Sequence, residues 1–193
     1  MKHSLVLSLL LLYTLALPVK AQKPYPRVEI AGGYSPLIVD RARRNMPKGW
    51  TAGVSVNVHR YFGIETNLAG HYGHITVPRA DESYYLFQGG PRVTFRLQRL
   101  TPWAHALFGV SQSRVAGAGV LKTSFAGTFG GGLDVNVHKR VALRVVQADY
   151  VRMRISDLSA GGIAGGGFGL LMVPRPANNL SLSFGVVLRL GGG

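Results

Sequence analysis

Apolar and polar residues alternate with period two along most of the chain. From Asn179 to Leu190 the even positions are Leu180, Leu182, Phe184, Val186, Leu188 and Leu190, and the odd ones are Asn179, Ser181, Ser183, Gly185, Val187 and Arg189. Successive side chains of a strand point to opposite faces, so this segment predicts a strand with one greasy and one polar or small face. The same pattern recurs at Val28, Ile30 and Tyr34, at Trp50 to Val58, at Phe62, Ile64, Leu68 and Tyr72, at Tyr85 to Phe95, at Ala104 to Val110 and at Phe125 to Val137. Between Val141 and Arg154 it breaks, because Leu143 and Val145 share parity with Gln147 and Asp149, which predicts a bulge or a change of register.

Eight strands follow, at about 26 to 35, 50 to 58, 62 to 73, 84 to 95, 102 to 111, 123 to 137, 141 to 154 and 178 to 190. The connections are short at 59 to 61, 96 to 101 and 138 to 140 and long at 36 to 49, 74 to 83, 112 to 122 and 155 to 177. That rhythm is the one an up-and-down transmembrane β-barrel requires, with tight periplasmic turns, longer external loops, and closure that leaves no unpaired edge in lipid. The expected fold is therefore all-β, an eight-stranded antiparallel barrel with both termini on the periplasmic side.

Alternation does not say which face points outward, since a soluble ligand-binding barrel has the same period with its apolar side inward. Aromatic residues at the ends of the apolar face, Tyr34, Trp50, Phe62, Tyr72 and Phe95, favour lipid outside, as interfacial girdles. The opposite face carries Gly, Ser, Thr and Asn with Glu65, Arg92, Asp134 and Arg144, which suits a narrow polar lumen.

The N-terminus changes the picture by adding an address. Lys2 and His3 precede an apolar run from Leu5 to Leu17, and Val19-Lys20-Ala21 supplies the small residues of a cleavage site. Residues 1–21 are read as a signal peptide and 22–193 as the barrel. With no cysteine in the chain, an exported domain must take its stability from burial, membrane insertion or a partner, and thiol chemistry is excluded. Setting aside Lys2 and Lys20 leaves 20 basic residues against 8 acidic ones, a net charge of +12 that calls for an anionic partner. The cations sit mostly in turns and loops and form no interleaved basic and aromatic stripe, which favours a membrane surface over nucleic acid.

These residues resemble the outer-membrane β-barrel family typified by the transmembrane domain of outer membrane protein A, most clearly at Gly90 to Phe95, Thr101 to Ser111, Gly130 to Tyr150 and Leu180 to Leu190. The resemblance implies a charged cluster inside the barrel, with Glu65, Arg92, Asp134 and Arg144 as its counterparts, acting as a structural plug or as a gate whose partner exchange opens a small, low-conductance pore. It also implies handling by the barrel assembly machinery. Relatives commonly end the last strand on an aromatic residue, whereas Leu190 ends it here, so recognition would use Phe184 or tolerate leucine. The first external loop, with Arg41, Arg43, Arg44 and Lys48, is the most basic patch and a candidate contact for lipopolysaccharide phosphates.

Other chemistry is poorly supported by the residues. His71, His74, Asp81, Glu82 and Ser83 near the outer rim invite comparison with lipid A-modifying enzymes, but in no defensible nucleophile spacing. His71 and His74 are three apart and so fall on opposite strand faces, which argues against a metal pair. His59, His105 and His138 are expected to face the lumen. Gly161 to Gly169 lacks the lysine of a phosphate loop, and no catalytic, metal or cofactor site is predicted. An integral outer-membrane barrel with a structural or interaction role is the expected function; a small pore, a lipid A-modifying enzyme and a secreted soluble barrel are the alternatives.

Overall fold

The computed structural model describes residues 25–39, 45–75, 80–115, 121–163 and 167–191. The proposed signal peptide and Arg41, Arg43 and Arg44 lie outside them. Ten strands run in chain order as β1 (Val28–Tyr34), β2 (Leu37–Val39), β3 (Asn45–Met46), β4 (Lys48–Asn57), β5 (Phe62–Ile75), β6 (Ala80–Thr94), β7 (Leu100–Val115), β8 (Leu121–His138), β9 (Val141–Ile163) and β10 (Gly167–Leu190). Each pairs antiparallel with its neighbours, and β1 pairs with β10 to close the sheet.

The wall is eight-stranded because β2 and β3 are continuations of β1 and β4. Tyr34 pairs with Phe184 and Leu37 with Ser181, an unchanged register across the gap at Ser35 and Pro36. Proline has no N–H to give the ladder, so it interrupts the strand without ending it. The same economy operates elsewhere. The expected long loops are mostly ladder, and the β9–β10 pairing runs without a slip from Leu180 and Tyr150 out to Gly167 and Ile163. Alternation missed these extensions because backbone hydrogen bonds carry a ladder through Gly, Ser and Pro-containing stretches that show no apolar period.

The apolar face points outward. Leu182, Phe184 and Val186 are 38%, 54% and 44% exposed, while the intervening Ser183 and Val187 are 2% and 0% exposed. From Leu180 to Leu190 the strand advances roughly 34 Å, or roughly 24 Å along the axis at a tilt of about 45°, the height of an outer-membrane apolar band. Among residues whose exposure is described, the outward strand charges are Lys48, Asp81 and Arg114 at outer strand ends and Arg152, one outward step beyond Tyr150 in β9.

The irregularity expected in β9 is a bulge. Leu133 pairs with Val146 but Asp134 pairs with Arg144, which leaves Val145 as the extra residue. Parity reverses there, so Ala142 and Arg144 face inward below the bulge and Gln147, Asp149, Val151 and Met153 face inward above it.

Candidate functional site: the lumenal charge network

The inward faces converge on a buried network around Arg92. Its Nη1 donates to Ser55 Oγ at 2.9 Å and pairs with Glu65 at 3.3 Å, and its Nη2 lies 3.6 Å from both Glu29 and Asp134. Arg144 donates from Nε to Asp134 Oδ1 at 2.9 Å and from Nη1 to Gln147 Oε1 at 2.9 Å. Gln147 donates to Asp149 Oδ2 at 2.5 Å. The four residues named from the sequence, Glu65, Arg92, Asp134 and Arg144, are thus brought together from β5, β6, β8 and β9.

Trp103 on β7 binds the halves. Its ring lies 4.4 Å from the Arg92 guanidinium and 4.3 Å from that of Arg144, so one indole is clasped between two cations. A ring's quadrupole favours both contacts, most of all where water is excluded. Space for the indole comes from Gly132, which pairs with Trp103 across β7 and β8.

Sequence reasoning missed half of the network. Glu29 takes Arg92, Arg96 at 3.4 Å and Arg189 at 3.2 Å, and Arg189 reaches Thr101 and Asn136. His105 sits between Glu65 at 3.3 Å and Asp149 at 3.1 Å. All but Arg96 stand on the predicted polar parity of their strands or beyond the bulge. Their signal was parity combined with charge, applied to strand ends as well as centres. Three carboxylates (Glu29, Glu65, Asp134) then face four guanidiniums (Arg92, Arg96, Arg144, Arg189), and Asp149 pairs with His105. The pairing matters because an unpaired buried charge costs several kcal/mol.

Beyond the charges the lumen changes character. Ser35, Ser181 and Ser183 form a hydroxyl chain with 2.8 Å links, and Thr128 donates to Gln88 at 2.8 Å. At the outer end Leu37, Met46, Ala69, Tyr84, Leu86, Ala126, Val151 and Met153 pack into an apolar cluster. A polar lumen was expected throughout, yet its outer end holds hydrophobic residues, two of them delivered by the β2 and β3 continuations.

The other histidines correct the sequence reading. His59 and His138 are exposed at the short turns: His59 lies past the last β4–β5 pair, and the register shifts between Asn136 and His138. Only His105 of the three is lumenal. His71 also faces inward and donates from Nδ1 to the Ser35 carbonyl at 2.9 Å. Of the rim residues, His71 and Glu82 are buried on the inward face, whereas Ser83 and Asp81, register-paired with Tyr72 and His74, stand on the outward parity.

Comparison with known proteins agrees with this architecture. Residues 7–186 match the model of the outer membrane protein beta-barrel domain. No curated protein matches the chain by sequence. Neisserial surface protein A is similar in structure, with a TM-score of 0.56 at 15% identity over 84% of this chain and 96% of that one. The attachment invasion locus protein Ail of Yersinia pestis gives 0.51 at 12% identity, over 88% of this chain and 100% of that one. A second Ail structure, in complex with the heparin analogue sucrose octasulfate, gives 0.51 at 13% identity with the same coverage. A closed wall with its grease outside, a charge-filled interior and a family match across nearly the whole chain lead to one conclusion: the chain belongs to the outer-membrane β-barrel family.

Proposed function

We propose that this barrel is a sealed structural and interaction element of the outer membrane, closed by its lumenal network and presenting its outer hairpins to partners. The observation that carries the reading is the Arg92–Trp103–Arg144 clasp spanning the interior, with a carboxylate on each cation. Two voids beside the network, about 10 and about 20 Å³, have room for about one water each, which favours a sealed interior. The apolar cluster at the mouth adds a second seal. Reconstituted in planar bilayers, the protein is expected to pass no stepwise current; sustained conductance steps would replace the plug with a pore.

We read the rim as non-enzymatic: His71 faces inward and is engaged by the Ser35 carbonyl, away from Ser83, and the spacing of the remaining rim residues matches no nucleophile signature. Lipid A recovered from cells expressing the protein is expected to keep its mass. For partners, the basic first hairpin with Arg41, Arg43, Arg44 and Lys48 suits lipopolysaccharide phosphates, and the related fold of Ail with its bound polyanion analogue is consistent with an anionic partner. Delivery through residues 1–21 and the barrel assembly machinery completes the reading; mass analysis of the purified chain is expected to find Gln22 at its N-terminus.

A further inference from the structure

Cross-strand register stacks the outward side chains of β4 to β7 into rows. One row is Ala52, Leu68, Phe87 and Val110, which is apolar. Two residues further out it is Trp50, Gly70, Tyr85 and Gln112, and two further again it is Lys48, Tyr72, Ser83 and Arg114. Passing from membrane to exterior, the wall therefore reads grease, aromatic shelf, then cations flanking two hydroxyls. Such a sequence matches the layers of an outer leaflet, in which acyl chains give way to a phosphorylated headgroup.

The aromatic shelf fixes the hydroxyl of Tyr72. Trp50 Nε1 donates to it at 3.2 Å, and the Tyr85 ring stands edge-on to the Tyr72 ring at 6.0 Å. The indole can do this because it lies over Gly70, where a Cβ would come within 2.6 Å of its Nε1. Lys48 and Arg114 are both exposed, on strands three ladder spacings apart, roughly 14 Å at the backbone. Lys48 is register-paired with Tyr72 and Arg114 with Ser83, so each cation stands beside one hydroxyl. Asp81, the nearest outward acid on β6, lies beyond the row.

We propose that Lys48, Tyr72, Ser83 and Arg114 form a binding ledge for the phosphorylated headgroup of an outer-leaflet glycolipid, its acyl chains lying on Leu68, Phe87 and Val110. The ledge rests on the membrane-partner reading above and gives it a place on the barrel wall, separate from the hairpin tip. Phosphate is the chemistry both cations and hydroxyls select, and the adjoining apolar face selects a lipid over a free anion.

The test is titration calorimetry of bisphosphorylated lipid A against the folded full-length barrel in detergent. Lys48→Gln with Arg114→Gln is expected to weaken binding roughly 30-fold, at about one contact's worth per cation near a membrane surface. Tyr72→Phe, which keeps the ring, is expected to weaken it several-fold. Arg99→Gln with Lys139→Gln, exposed at the periplasmic end, is expected to leave it unchanged, and heat-modifiable gel mobility confirms that each variant is folded. Wild-type affinity in the Lys48 and Arg114 variant overturns the ledge, as does displacement of lipid A by equimolar inorganic phosphate, or loss of affinity confined to Arg41→Gln, Arg43→Gln and Arg44→Gln. Any of these with a barrel that still blocks current removes the ledge alone; a conducting wild-type barrel removes the sealed-element reading whatever the lipid result.

Discussion

Val145 and Val146 are neighbours in sequence, and both face outward, 56% and 45% exposed. This one doubled step in β9 aims Arg144 at Asp134 and, three residues later, Gln147 at the same guanidinium. Without it, residues on one side of the step would turn to lipid. Deleting Val146 is therefore expected to force either Arg144 or the Gln147–Asp149 pair outward, at about 2 to 4 kcal/mol for the arginine alone. Heat-modifiable mobility should be lost or its denaturation midpoint lowered, while Val146→Ala keeps it.

Arg144 and Asp134 are the tightest ion pair of the interior, at 2.9 Å. Removing Asp134 leaves Arg144 hydrogen-bonded only to the neutral Gln147 among the described residues, and removing Arg144 leaves Asp134 with only the 3.6 Å contact to Arg92. Arg144→Leu and Asp134→Leu are therefore each expected to cost about 3 to 5 kcal/mol. The double variant should cost clearly less than their sum, because neither charge is left under-paired by loss of the other. Urea unfolding in lipid vesicles, followed by gel mobility, measures the coupling; strict additivity would mean that the pair contributes nothing as a pair.

Adjacent positions on β10 separate the two faces. Leu182→Arg places a cation on the lipid wall and is expected to cost about 2 to 4 kcal/mol. Ser183→Ala removes one hydroxyl, donating to Ser35 at 2.8 Å, and is expected to cost about 1 kcal/mol. Reversal of that order in the same unfolding assay would turn the wall inside out.

Gly132 and Gly127 stand five residues apart on β8 with unequal room. A Cβ at Gly132 would lie 2.5 Å from the Val146 carbonyl oxygen and 2.8 Å from the Trp103 ring, whereas at Gly127 the nearest atom is the Phe108 ring at 3.7 Å. Gly132→Ala is expected to destabilise by about 1 to 3 kcal/mol, as overpacking does, and to perturb Trp103 emission. Gly127→Ala should leave both nearly unchanged.

The sequence carried the wall more fully than its contents. Period-two alternation places Leu182 and Phe184 outward, and the broken parity between Leu143 and Asp149 marks a bulge or register change where the bulge at Val145 lies. Glu65, Arg92, Asp134 and Arg144 were legible because each is a charge on a polar face in mid-strand. Glu29, Arg189 and Asp149 obeyed the same rule, but their partners come from strands far apart in sequence, and only register shows that they meet. His59 failed because parity was extended past the last ladder pair, and His138 because the register shifts just before it. The outer apolar cluster was hidden for a different reason: Leu37 and Met46 belong to a connection, and the pattern held no hint that Pro36 leaves the strand direction intact.

The ladder that joins β1 to β10 ties Arg27 to Leu190 by a backbone hydrogen bond of 2.9 Å. Residues near the start of the barrel thus wait for the end of the chain before their outer hydrogen-bonding edge is satisfied. Until the final strand arrives, every partial product is an open ribbon with two adhesive margins, prone to clinging to its own kind. Biogenesis is on these grounds a race against self-association, and the closing seam sets when that race is won.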